Sequence, residues 1–280
     1  RMLEKIEEIL LKEKPNVILV YGDTNSTLAG ALAAKKIHIP VAHVEAGLRS
    51  FNMRMPEEVN RILTDRISSV LYAPTKQAMH NLKEEGYENF DIKIDIVGDV
   101  MLDAALFYSS QLEKNANSEE YYLCTLHRAE NTDDLARLKE LVDGLNTIHK
   151  NKKVVLPIHP RTKAIIKDNN IDLQVEIIEP QGYLDMIKLI RDCKAVITDS
   201  GGLQKEAFFF SKPCITMRDQ TEWVELVDNG FNTLVGADKD KLLRAAEAVS
   251  TRDYDFSIPL YGDGKAGEKI AKSIQYLFGE

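Results

Sequence analysis

Short apolar runs rich in β-branched residues alternate along this chain with segments whose apolar positions recur every three or four residues. Leu3, Ile6, Ile9 and Leu10 carry the helical spacing first, and Pro15 ends that helix. Asn16-Val17-Ile18-Leu19-Val20-Tyr21 reads as a buried parallel strand, Gly22-Asp23-Thr24-Asn25-Ser26 as a turn, and 27–36 as an alanine-rich helix. The strand Val41-Ala42-His43-Val44 runs into Glu45-Ala46-Gly47-Leu48-Arg49-Ser50. Strand, helix, strand in this order predicts a parallel βαβ unit and an α/β fold. The next helix opens at Met55-Pro56-Glu57-Glu58, with proline and glutamates suited to its positive end. Val59, Ile62, Leu63, Ile67 and Val70 mark its expected buried face, and Glu57 and Arg61, four apart, are placed to pair.

The alternation continues with strands near 71–75 and 94–97, a helix over 100–112 and a polar run over 113–120 that reads as a surface loop. Strands near 121–126, 154–158, 175–178, 195–197, 213–217 and 233–235 follow, and a last helix covers 266–277. At 280 residues the chain exceeds a typical single domain. The expected division is a first Rossmann-like domain over 1–98, a second over 99–264, and a final segment over 265–280 that crosses back to the first. The chain opens at Arg1 inside a helix, without an initiator methionine, and reads as a fragment.

A net charge of −8 gives no global basic field for nucleic acid or an anionic membrane, so any phosphate site must be built locally. No apolar run reaches the roughly 20 residues that span a bilayer. Cys124, Cys193 and Cys214 are odd in number and sit in apolar surroundings, which predicts reduced core thiols and a cytoplasmic protein.

The densest chemistry lies at strand ends, where open parallel sheets bind ligands. Thr198-Asp199-Ser200-Gly201-Gly202 follows a buried strand and opens a helix. Two adjacent glycines let backbone approach a ligand, the first-turn N–H groups suit an anion, and Ser200 can cap or bond an oxygen. Glu206, about one turn on, is placed to accept ribose hydroxyls. An ordinary capped helix fits the same residues. Asp23 and Glu45 occupy the equivalent edge of the first domain, where solvated turn residues would also serve. His127-Arg128-Ala129-Glu130-Asn131 puts imidazole, guanidinium and carboxylate within four residues of a strand end, and His159-Pro160-Arg161 repeats the arrangement. Pro180 to Tyr183 supplies a turn and an aromatic ring to pack a base, and Arg218 follows another strand.

Taken together, Tyr21-Gly22-Asp23-Thr24, His43-Val44-Glu45-Ala46-Gly47-Leu48-Arg49, Pro56-Glu57-Glu58-Val59-Asn60-Arg61, His127-Arg128-Ala129-Glu130-Asn131, Thr198-Asp199-Ser200-Gly201-Gly202 with Glu206, and Thr221-Glu222 resemble the non-hydrolysing UDP-N-acetylglucosamine 2-epimerase family across essentially the whole chain. The resemblance implies two Rossmann-like domains facing across a cleft, as in GT-B glycosyltransferases. It implies anti elimination of UDP to 2-acetamidoglucal and re-addition on the other face, with no metal or redox cofactor. Asp23, Glu45, Glu57 and His127 become the acid–base candidates. Arg49, Arg128, Glu130, His159, Pro180, Tyr183, Ser200, Gly201, Gly202, Glu206 and Arg218 become the substrate contacts. Members are typically dimers.

Two departures stand out. The family's opening strand and its Gly-Thr-Arg-Pro-Glu motif are absent, equivalent to two or three βα units or roughly 60–90 residues. Many bacterial members carry Arg where Ala129 stands, Arg-Pro where Trp223-Val224 stands, and a longer insert in place of 50–55, so this chain reads as a different branch whose amino sugar is open. A GT-B glycosyltransferase, a hydrolysing 2-epimerase and a non-catalytic UDP-sugar binder are the competing readings.

Overall fold

The computed structural model describes residues 1–113 and 120–279. Positions 114–119, most of the expected surface loop, therefore lie outside the described residues. The chain divides into two compact units, Arg1–Ala104 with Pro259–Glu280, and Ala105–Ile258. Each is an α/β unit on a parallel sheet.

Unit 1 runs α1 (Met2–Glu13), β1 (Ile18–Tyr21), α2 (Asn25–Lys36), β2 (Val41–Val44), α3 (Pro56–Ile67), β3 (Val70–Ala73), α4 (Lys76–Glu84), β4 (Lys93–Ile96) and the start of α5 (Val100–Ser110). Its four strands lie in the order β1-β2-β3-β4. Alternate strand residues separate the core: Ala42, Val44, Val70 and Tyr72 pack with Val97, while Val41 joins Val20, Ala31 and Ala34 on α2. Tyr21 pairs with Val44 in register, so β1 and β2 end level and their turns emerge side by side.

Unit 2 runs β5 (Tyr122–Thr125), α6 (Ala129–Thr132), α7 (Leu135–His149), β6 (Val154–Pro157), α8 (Pro160–Asp168), β7 (Glu176–Ile178), α9 (Tyr183–Asp192), β8 (Ala195–Thr198), α10 (Gly201–Phe209), β9 (Cys214–Thr216), α11 (Val224–Asp228), β10 (Asn232–Leu234) and α12 (Lys239–Ala248). The six strands lie in the order β10-β9-β8-β5-β6-β7. Tyr122 and Cys124 of β5 enter one core cluster with Ala195 and Ile197, while Tyr121 and Leu123 enter the opposite one with Val196. This two-sided burial explains why the strands read as continuous apolar runs. Thr125 pairs with Thr198 and Thr198 with Thr216, so β5, β8 and β9 also end level.

The chain then returns to unit 1 through α13 (Ala266–Phe278), whose Ala266 and Ile270 complete the cluster around Tyr72 and Val97. The return passes close to the end of β4. Asp99 N–H donates to the Tyr261 carbonyl at 2.9 Å, and Asp103 accepts from the Ala266 and Gly267 N–H groups at 3.0 and 2.7 Å, capping α13.

Candidate functional site

In unit 1 the level ends of β1 and β2 put Asp23 and Glu45 on adjacent turns. A Cβ on Gly22 would stand 3.3 Å from Glu45 Oε2, so the Glu45 carboxylate lies against the turn that carries Asp23. Asp23 Oδ2 accepts from Arg61 at 2.6 Å, and the Asp23 carbonyl accepts from the Asn60 amide at 2.9 Å. Glu45 holds a left-handed backbone at φ 67°, uncommon for a residue with a side chain.

Helix α3 stands behind these turns, and here the sequence expectation is corrected. Its fully buried face is Glu58, Asn60, Arg61, Thr64 and Asp65, while Leu63 is exposed and Val59, Ile62 and Ile67 are only part-buried. Arg61 does not pair with Glu57, which is exposed; its partners are Asp23 and Glu58. Glu58 accepts from the N–H groups of Ser50 and Phe51 at 2.9 and 2.8 Å. The inner face is polar because it meets turn backbone and carboxylates rather than the sheet's apolar surface.

Arg49, expected to touch substrate, is buried inside unit 1. Its guanidinium forks onto Glu85 at 2.6 and 2.8 Å and donates to Asp65 at 2.8 Å and to the Leu48 carbonyl at 2.7 Å. His43, also buried, places Nδ1 2.7 Å from Asp65 and Nε2 2.8 Å from the Gly22 carbonyl.

In unit 2 the organising residue is Asp199, which sequence reading quoted within its motif but gave no role. Its buried carboxylate accepts from the backbone N–H of His127 and of Arg128, at 3.0 and 2.9 Å, and stands 3.2 Å from His127 Nδ1. Asn131 donates to it at 3.3 Å and to the Met217 carbonyl at 2.9 Å, tying the ends of β5, β8 and β9 together. The hydrogen bond that His127 donates to Asp199 raises the His127 pKa above its ordinary value against opposing burial. Burial pushes the Asp199 carboxyl up, but His127 and the two backbone N–H groups outweigh it and hold the carboxyl below its usual range. Only the carboxylate's position two residues before a double glycine signalled this role.

Ser200 is the N-cap of α10, yet its side chain makes no capping bond. Gly201 is closely covered: a Cβ there would lie 2.6 Å from Glu222 Oε1 and 3.8 Å from an Arg128 guanidinium nitrogen. Trp223 donates from its indole to the Gly201 carbonyl at 3.0 Å, and Arg218 pairs with Glu222 at 2.9 Å. The turn therefore gathers Arg128, Ser200, Gly201, Gly202 and Arg218. Burial lifts the Glu206 carboxyl to about 7, partly offset by the Lys205 charge and by a hydrogen bond from Tyr183. Tyr183 and Glu206 are thus joined, whereas Pro180 is exposed nearby in sequence. His159 caps α8, its Nδ1 accepting from Arg161 N–H at 3.2 Å, and Glu130 is an exposed residue 3.8 Å from Arg137. The three cysteines are free and buried. Among the described residues no group of three or more metal-ligating side chains occurs, and no helix is long and apolar enough to cross a membrane.

The family model for UDP-N-acetylglucosamine 2-epimerase matches residues 1–275. The chain is 55% identical over 281 residues to a Pseudomonas aeruginosa UDP-2,3-diacetamido-2,3-dideoxy-D-glucuronate 2-epimerase, covering 99% of this chain and 79% of that one. It is 47% identical over 294 residues to a Methanocaldococcus jannaschii UDP-N-acetylglucosamine 2-epimerase, covering 99% and 80%. A solved structure of UDP-GlcNAc 2-epimerase from M. jannaschii, in complex with UDP-GlcNAc and UDP, superimposes with a TM-score of 0.87 at 46% identity, covering 98% of this chain and 80% of that one.

Proposed function

The chain belongs to the UDP-N-acetylglucosamine 2-epimerase family, and on that premise we propose how its residues carry the reaction. It is an isomerase of the non-hydrolysing type, inverting C2 of UDP-N-acetylglucosamine to give UDP-N-acetylmannosamine. In the proposed route a base removes the C2 proton while the C1–O bond breaks, its electron pair leaving with UDP and a C1=C2 double bond forming. UDP then re-adds at C1 as a proton is delivered to C2 from the opposite face, so no atom is gained or lost. Asp23, Glu45, Glu57 and His127 are the acid–base candidates, and the adjacency of Asp23 and Glu45 is the observation that carries the assignment. Carboxylates on two adjacent turns suit proton traffic at a weakly acidic carbon.

The turn at Ser200-Gly201-Gly202, with Arg128 and Arg218, is assigned to the diphosphate, whose charge grows as C1–O breaks. Glu206 is assigned to the ribose, the segment from Pro180 to Tyr183 to the uracil, and Glu130 and His159 to the outer contacts of the same nucleotide. Arg49, with its donors turned inward, serves by holding the Glu45 turn.

Proton NMR with UDP-N-acetylglucosamine in deuterated water tests the reading. UDP-N-acetylmannosamine deuterated at C2 is expected, with Asp23→Asn, Glu45→Gln and His127→Ala each slowing turnover by about 10² or more. Free N-acetylmannosamine with UDP would instead mark a hydrolysing enzyme, and unchanged rates in the three variants would refute the assignments.

A second reading of the sugar rests on the 55% identity with the diacetamido-glucuronate enzyme. That sugar carries a second acetamido group at C3 and a carboxylate on C5. Comparing kcat/KM for the two UDP-sugars decides between them. A homodimer in the cytoplasm completes the proposal, the latter supported by three free buried thiols; light scattering and cell fractionation test both.

A further inference from the structure

We propose that Asp65 is a positioning residue for this reaction, acting by bracketing Glu45. The proposal rests on the reading that Asp23 and Glu45 work on the sugar. Asp65 Oδ1 stands 2.7 Å from His43 Nδ1, two residues before Glu45, and Oδ2 accepts from Gly47 N–H at 3.1 Å, two residues after it. Through His43 Nε2 the same carboxylate reaches the Gly22 carbonyl, one residue before Asp23. One side chain on α3 thus ties down both turns that carry the proposed acid–base pair.

Three observations make this more than core packing. Glu45 sits at φ 67°, a conformation that non-glycine residues keep only where their surroundings impose it. Asn81 holds the Gly47 carbonyl and Glu85 holds Arg49, but both act on the far side of Glu45, whereas the Asp65 side chain bonds on both sides of it. The Asp65 and His43 side chains are fully buried, a costly place for ionisable groups unless every partner is supplied. Here they are. A carbonyl accepts only, so His43 Nε2 carries a proton towards Gly22 and Nδ1 is left facing Asp65. Arg49 and Glu85 extend the chain of bonds to the surface of unit 1.

A network of this kind fixes position rather than adding affinity. Replacing Asp65 by Asn keeps the size but turns an amide N–H₂ against donors at Gly47, Arg49 or His43, releasing the bracket. Glu45 would then relax from its turn, and small displacements of an acid–base group are expensive in rate.

Kinetics of Asp65→Asn in the full chain test this, alongside Asp23→Asn, Glu45→Gln and Asp65→Glu. The expected result is a kcat reduced by about tenfold or more, with KM for UDP-N-acetylglucosamine and calorimetric UDP affinity within about threefold of wild type. Asp65→Glu, which keeps four acceptor positions, should recover part of the kcat. Wild-type kcat in folded Asp65→Asn, or equal losses in kcat, KM and UDP binding, would overturn the proposal while leaving the roles of Asp23 and Glu45 standing. Unimpaired Asp23→Asn and Glu45→Gln would instead bring down the reading beneath it. If Asp65→Asn fails to fold, nitrogen-15 histidine NMR of the wild type decides: an exchange-protected Nε2 proton on the His43 ring, retained with UDP-sugar bound, supports the bracket, and a freely exchanging ring refutes it.

Discussion

Glu206 shows how a single side chain can carry a condition for binding. Burial lifts its carboxyl to about 7, and in the ribose role proposed for it the ionised form is the one that accepts two hydroxyls. UDP-N-acetylglucosamine has no group of its own titrating near there, so its affinity should be about tenfold weaker at pH 6 than at pH 8, and Glu206→Gln should flatten that profile in calorimetry. His127 and Asp199 tie pH to stability instead. His127, raised above its usual value, contributes stability below about pH 6.5 that fades as pH climbs through its folded pKa; Asp199, held low, contributes above about pH 4 and loses it in acid. Their shared contact counts once, and with His127 half-exposed it amounts to roughly 1 kcal/mol or less. Asp199→Asn should therefore remove a shallow maximum in Tm between about pH 4 and 6.5. Asp23, Glu45 and His127 could be picked out as candidates because they stand just past strand ends in recognisable strings. Asp199 and Asp65 were harder to read: an acidic residue that serves backbone N–H groups, or a histidine 22 positions away, looks in sequence like any other.

At the scale of elements, strands and helices followed from their periodicity, and α3 is where periodicity misled. Its apolar residues recur at helical spacing, yet the helix turns its charged side inward because the surface it meets is made of turns and carboxylates. The consequence is an inverted pattern of tolerance. Leu63→Glu, at an exposed apolar position, should change stability by no more than about 0.5 kcal/mol. Glu58→Gln, at a buried charged one, weakens the acceptors for Ser50, Phe51 and Arg61 and should cost about 1–3 kcal/mol in urea unfolding. A reversed order of these two effects would contradict the inward-facing polar side. The capping of α13 by Asp103 is a further element-level feature that no local pattern announced, since its partners lie 163 and 164 positions apart.

For the whole molecule, two parallel sheets were readable from the alternation of strands and helices, and the chemistry divides between them. The proposed UDP contacts belong to unit 2 and the carboxylates to unit 1. Hydrogen exchange with saturating UDP should then show protection gained around 125–131, 198–206 and 216–222, by mass action on the bound state. Gains confined to unit 1 would refute the division of labour. One feature of the chain path bears on synthesis. Tyr72 and Val97 reach their final packing only when Ala266 and Ile270 arrive, and all of unit 2 is translated in between. At ribosomal speed that interval is on the order of 10 s or more, during which a nascent unit 1 shows an apolar face with its cover still unmade. Selective ribosome profiling should therefore show chaperones engaged at that stage and released once α13 has emerged.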